Sequence, residues 1–149
     1  MKLDEKRFFC YSKNMEDLEK IKPKIAKIAE KYELKLVVLY GSQATGKAKL
    51  NSDIDIAILG ERRIDFDKHI ELINEFTDLF NTDEIDVKLL HNTNPLFRYE
   101  VMRDGILLYG SDYDFVSFKA YAFRDYMDSG DLFRLKRIFI KKRMEYMKN

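Results

Sequence analysis

The residues best suited to chemistry in this sequence lie between Gly41 and Asp55, a stretch that reads GSQATGKAKLNSDID and joins the apolar runs Leu34 to Tyr40 and Ile54 to Leu59. It is a GS-x10-DxD pattern. Side chains two apart on a strand share a face, so Asp53 and Asp55 are expected side by side while Ile54, Ile56 and Ile58 enter the core. Two adjacent carboxylates repel, and a strand that carries both asks for a cation beside them. Hard oxygen ligands suit Mg²⁺, which completes its shell from water and substrate phosphates. Gly41 permits close approach of a phosphate to the backbone, Ser42 supplies a hydroxyl, and the amides that follow can form an anion-binding turn. These are the ingredients of metal-assisted transfer from a nucleoside triphosphate.

The same residues contain a decoy. Gly41 to Ala48 reads G-x-x-x-x-G-K-A, a Walker A loop with Ala where the Mg²⁺-holding hydroxyl belongs. Only Lys49 to Ser52 precede the next strand, which leaves no room for the long helix whose N-terminus a P-loop offers to the phosphates. The P-loop reading is rejected.

The elements around the stretch follow from periodicity. Asn14 is a plausible N-cap, and Leu18, Ile21, Ile25, Ile28, Ala29 and Tyr32 fall at helical spacing, with Pro23 expected to kink the helix or mark its start. Strands are predicted at Leu34 to Tyr40, Asp53 to Leu59, Ile85 to Leu90 and, at an edge, Ile106 to Tyr109. Between them, Phe66 to Phe80 is an amphipathic helix with Ile70, Ile73, Phe76, Leu79 and Phe80 on one side, and Pro95 to Met102 a short one. Two closing helices, Tyr113 to Met127 and Leu132 to Met147, are separated near Ser129 and Gly130. Phe115, Phe118, Tyr121, Ala122 and Tyr126 are read as core positions. Residues 1–12 have no clear period and are read as a docked arm or a frayed end.

Gly41 and Ser42 leave the first strand where Asp53 enters the second, so one shared site requires these strands to be antiparallel. Asp86 enters the third strand after a crossover helix, which predicts a strand parallel to the second and brings Asp86 to the same end of the sheet. The fold class is α/β (α+β), a mixed sheet flanked by helices with three carboxylates at one rim. A length of 149 residues, 46% of them hydrophobic, fits a single domain, with a core over about 14–110 and a helical extension over about 112–147.

Charge and composition narrow the function. With 27 basic against 26 acidic residues there is no overall pull toward nucleic acid or an anionic membrane. The distribution is uneven, because Leu132 to Asn149 holds seven basic residues and one acidic one. The lone Cys10 excludes an internal disulfide and is read as a reduced thiol. The N-terminus lacks a signal-peptide pattern and no apolar run reaches the ~20 residues of a membrane helix, so the expected location is the cytoplasm. His69 is expected on a solvated helix face and His91 in a loop, neither with zinc-site neighbours. Lys47 and Lys49 are surface lysines with the reach to meet a phosphate.

On these residues the chain resembles a minimal nucleotidyltransferase of the DNA polymerase β-like superfamily. The matching positions are Gly41, Ser42, Asp53, Asp55 and Asp86, with Gly46 and Ser52 completing the GS-x-A-x-G-x-A-x-x-x-SDID form. Pro95, Leu96, Arg103, Gly105 and Leu108 are similar to the P-L…R-x-G-x-x-L-Y tail of these proteins. The resemblance covers about Leu18 to Tyr109. Gln43 departs from it, standing where relatives often carry Arg and leaving Lys47 or Lys49 as the substitute cation.

The resemblance implies a polymerase β palm-like nucleotidyltransferase fold. It implies two Mg²⁺ ions held by Asp53, Asp55 and Asp86, with ATP as donor positioned by Gly41, Ser42 and Lys47. It further implies transfer of AMP to a tyrosine of a HEPN-type ribonuclease toxin, with this chain as antitoxin. A small-molecule nucleotidyltransferase of the aminoglycoside-modifying kind and a non-catalytic antitoxin that acts by binding are the alternatives.

Overall fold

A computed structural model of the chain describes residues 15–48 and 52–147. Cys10, the arm at residues 1–12, the Asn14 cap and Lys49 lie outside the described residues. The elements run α1 (Met15–Lys31), β1 (Leu34–Tyr40), α2 (Gly41–Thr45), β2 (Ile54–Gly60), α3 (Phe66–Phe80), β3 (Ile85–Leu89), α4 (Pro95–Asp104), β4 (Ile106–Tyr109), α5 (Asp112–Asp128) and α6 (Gly130–Tyr146).

The four strands form one mixed sheet in the order β3-β2-β1-β4. β1 is antiparallel to both β2 and β4, and β2 is parallel to β3, as the shared-rim requirement demands. Alternation along the strands divides the core between two faces. Val37 and Leu39 of β1 and Ile54, Ile56 and Ile58 of β2 meet Ile25 and Ile28 of α1 and Leu72 and Phe76 of α3. On the other face Leu36, Val38, Ala57 and Leu59 meet Val101 and Met102 of α4 and Ala122 of α5. Gly105, between α4 and β4, is required by contact rather than by dihedral: a Cβ there would stand 2.4 Å from the Val101 carbonyl oxygen and 2.5 Å from Val38 Cγ1.

Several local expectations are corrected. α1 runs on through Pro23, which therefore neither starts nor ends the helix. In α3 the buried seam is Leu72, Phe76 and Phe80, and Ile70 is 43% exposed, because a four-residue repeat set by Leu72 turns Ile70 toward the shoulder. His69 is half-buried rather than solvated. In β3, the Glu84 carbonyl accepts from Ile54 and the Leu90 amide donates to Ile58, so even-numbered backbone groups face β2 and odd ones the open edge. His69 Nε2 donates to the outward Val87 carbonyl at 2.7 Å, closing part of that edge. His91 lies in the turn after β3, and its Nε2 donates to the Gly60 carbonyl at 3.0 Å.

The closing helices differ from each other. α5 buries Ala122, half-buries Phe115, Phe118 and Tyr126, and leaves Tyr121 largely exposed. Arg98 of α4 is buried and pairs with Asp125 of α5 at 2.6 Å. α6 meets α5 at the Tyr126–Phe133 ring contact and is otherwise exposed, including Leu132, Leu135, Ile138, Phe139 and Ile140.

Candidate active site

β1 ends at Tyr40, and the chain then turns sharply into α2, a single short helix rather than an irregular loop. Gly41 has φ +71°, a left-handed conformation that L side chains rarely adopt. A Cβ added there would lie 2.2 Å from Asp55 Oδ2, so the carboxylate of β2 rests directly against the glycine of the turn. The helix ends at Gly46, also left-handed, where the amides of Gly46 and Lys47 donate to the Ser42 carbonyl. Gln43 bridges the hairpin, its Nε2 donating to the Ser52 carbonyl at 3.3 Å. The first amides of a helix have no intrahelical acceptor, and Tyr40 supplies no side-chain cap, so the start of α2 presents donors of the kind that meet phosphate.

Register builds the rest. Tyr40 pairs with Asp55 across β1 and β2, and Asp55 pairs with Asp86 across β2 and β3, which forms a row Tyr40, Asp55, Asp86 spanning three strands. The row lies on the α4 and α5 face, where Tyr40 meets Phe97 of α4 edge-on with ring centroids 5.6 Å apart. Asp55 and Asp86 are half-buried neighbours. Burial, then Asp86, then Asp53 push the Asp55 carboxyl above the usual carboxylate range, and Lys88 pulls it partly back. Burial and the same two strand carboxylates, Asp86 and Asp55, hold the Tyr40 phenol well above its ordinary value.

Asp53 stands just before β2, exposed, rather than inside the strand as expected; its field still reaches Asp55. Asp86 forms an ion pair with Lys88, Oδ2 to Nζ at 2.9 Å. Lys47 is exposed beyond the end of α2, where its charge reaches Asp104. Tyr40, Lys88 and Phe97 escape the sequence reading. The two-residue strand period already puts Lys88 on the face of Asp86, and Tyr40 directly precedes the glycine; the helix residue Phe97 has no such signal.

Among the described residues, no three His, Cys, Asp or Glu side chains close into a ready-made metal cage. Mg²⁺ does not need one, because it keeps waters and takes further ligands from substrate phosphates. The donor chemistry fits: hard oxygens, two of them on neighbouring strands, with the repulsion between Asp55 and Asp86 there to be relieved by a cation.

A family model described as Polymerase beta, Nucleotidyltransferase matches residues 23–114. The chain belongs to that family. Among similar proteins is the protein adenylyltransferase MntA of Aphanizomenon flos-aquae, 33% identical in an alignment 95 residues long that covers 54% of this chain and 62% of the relative. The chain thus spans less than two thirds of that relative's length. Of solved structures, a toxin–antitoxin crystal structure with AMP-PNP has a chain 26% identical to this one, with TM-score 0.68 over 83% of this chain and 98% of the other. A structure of the tri-AMPylated Shewanella oneidensis HEPN toxin in complex with MNT antitoxin is 22% identical with TM-score 0.65, over 85% and 98%, a likeness of fold. Within the family, the stretch that matches contains every element of the Tyr40, Asp55, Asp86 row and the turn at Gly41.

Proposed function

We propose that this chain transfers AMP from ATP to a tyrosine hydroxyl of a HEPN-type ribonuclease toxin, in the cytoplasm, as the antitoxin of the pair. The observation that carries the reading is the row of carboxylates abutting the Gly41 turn, in a family whose members transfer nucleotidyl groups. The likeness to MntA and to a toxin–antitoxin chain solved with AMP-PNP supports the choice of donor and partner.

Asp53, Asp55 and Asp86 would hold Mg²⁺, two ions in this reading. When bound, the metal neutralises charge on the triphosphate and lowers the pKa of an acceptor hydroxyl. Gly41 and Ser42 orient the β and γ phosphates at the start of α2, and Lys47, exposed beyond the end of that helix, supplies a cation to the triphosphate. The acceptor oxygen attacks the α-phosphorus in line, the bond to the β-phosphate oxygen breaks, and pyrophosphate leaves. Asp86 is the carboxylate nearest the open edge of the sheet and takes the acceptor's proton. Tyr40 and Phe97 pack edge to face on one side of the row.

The acceptor reaches this edge from another molecule. α6 leaves Leu132, Leu135, Phe139 and Ile140 exposed among Arg134, Lys136, Arg137, Lys141, Lys142 and Arg143, a surface suited to an apolar partner with acidic surroundings.

The test mixes the purified chain, a HEPN-type partner and ATP labelled on the α-phosphate. Label is expected on a partner tyrosine, with release of pyrophosphate. Inhibition of the partner without label would replace this reading with a binding antitoxin, and label on an aminoglycoside but not on protein would replace it with a small-molecule transferase.

A further inference from the structure

Lys88 stands on β3 two residues beyond Asp86, on the same face of the sheet. Its Nζ lies 2.9 Å from Asp86 Oδ2 and 5.9 Å from the centre of the Phe97 ring, and Phe97 in turn packs on Tyr40. The ammonium therefore stands between the Asp86 carboxylate and the Phe97 ring of α4, with about half of the side chain exposed. An exposed ion pair two residues apart on a strand would ordinarily be a minor surface feature. This one engages one oxygen of a half-buried carboxylate whose lateral neighbour, Asp55, is also an anion.

We propose that Lys88 is a positioning residue for nucleotidyl transfer: it fixes Asp86 by one oxygen, leaves the other directed to the rim, and competes with divalent cations for the same carboxylate. The inference rests on the nucleotidyltransferase reading of the row. It assigns Lys88 two opposed effects. The ammonium weakens cation binding, because a like charge stands within a few ångströms of the ligand. It also raises turnover, because Asp86 is kept in one orientation when the acceptor arrives.

Lys88→Met keeps an unbranched side chain and removes the charge; Lys88→Arg keeps the charge. Calorimetry with Mg²⁺ alone, without nucleotide or acceptor, is expected to give about tenfold tighter binding for Lys88→Met, the order expected when a positive charge paired with a carboxylate that would hold the ion is removed at a wet site. Steady-state transfer should show kcat about tenfold lower with an unchanged KM for ATP, and Lys88→Arg should restore both values toward wild type. Unchanged Mg²⁺ affinity in Lys88→Met, or a loss in Lys88→Arg equal to that of Lys88→Met, overturns the role of Lys88. Asp55→Asn serves as the separate control: if it binds Mg²⁺ as wild type does, the metal-site reading itself fails whatever Lys88 does.

Discussion

Gly41 and Asp55 are in such close approach that a single methyl group cannot be placed between them: a Cβ on Gly41 would stand 2.2 Å from Asp55 Oδ2. The turn after β1 and the carboxylate on β2 are thus one object. The φ of +71° at Gly41 adds about 1–2 kcal/mol of strain for any other residue. Gly41→Ala is expected to lower stability by about that amount and to reduce transfer by at least ~100-fold as Asp55 is displaced. Denaturant unfolding alongside single-turnover labelling checks both, and normal turnover in this variant would remove the turn from the site.

Asp55 makes stability depend on pH with a definite sign. Its carboxyl titrates higher in the fold than in an unfolded chain, so the native state binds more protons between the ordinary carboxylate range and the raised native value. Stability is highest below that window and falls as pH rises through it. In EDTA at neutral pH, Asp55→Asn should therefore melt above wild type. Addition of Mg²⁺ and ATP should raise the melting point of wild type and not of the variant. A variant that melts lower than wild type in EDTA contradicts the repulsion on which the site is built.

Asp86 is separable from its acidic neighbours. Asp83 and Glu84 are exposed before β3, whereas Asp86 is half-buried in register with Asp55. Asp86→Asn is expected to retain ATP binding and lose about 100-fold or more in turnover, while Asp83→Asn and Glu84→Gln remain near wild type. Nucleotide calorimetry with parallel kinetics distinguishes the three, and equal losses would reduce the effect to bulk negative charge.

The basic exposed helix α6 should govern partner affinity and leave nucleotide binding alone. Reversal of charge at Lys141 and Lys142 is expected to weaken complex formation about 10-fold at low salt, with a smaller loss at high salt where screening has already removed the attraction. Pull-down at two ionic strengths, with ATP binding as the internal control, measures it; full affinity in the reversed variant excludes these lysines from the docking surface.

The ion pair between Arg98 and Asp125 ties α5 to α4. Arg98 is buried with its Nε lacking a partner, so removal of the carboxylate strands a buried guanidinium. Asp125→Ala should destabilise the fold by about 3 kcal/mol, whereas a double change of both residues to apolar ones should recover much of it. Thermal unfolding of the single and double variants decides the point.

The sequence by itself determined the local elements and the chemistry they could carry. Period-two alternation in IDIAIL, the 3.6-residue period of the helices and the glycine before Ser42 are local signals, and from them the antiparallel and parallel pairings follow once one site is required. The DxD spacing was legible as a pair of carboxylates, yet only the fold decided that Asp53 precedes the strand while Asp55 is held in it. Lateral register is a tertiary property, fixed by the packing of α1 and α3 on one face and α4 and α5 on the other. It alone put Tyr40, Asp55 and Asp86 in one row and Phe97 over Lys88. Ile70 and His69 show the same limit: their helix was readable, but which shoulder met the edge strand depended on where Leu72 seated. For α6 the residues alone indicated excess apolar surface, and the tertiary structure decided that the sheet has no face left to cover it, since both are already occupied by other helices.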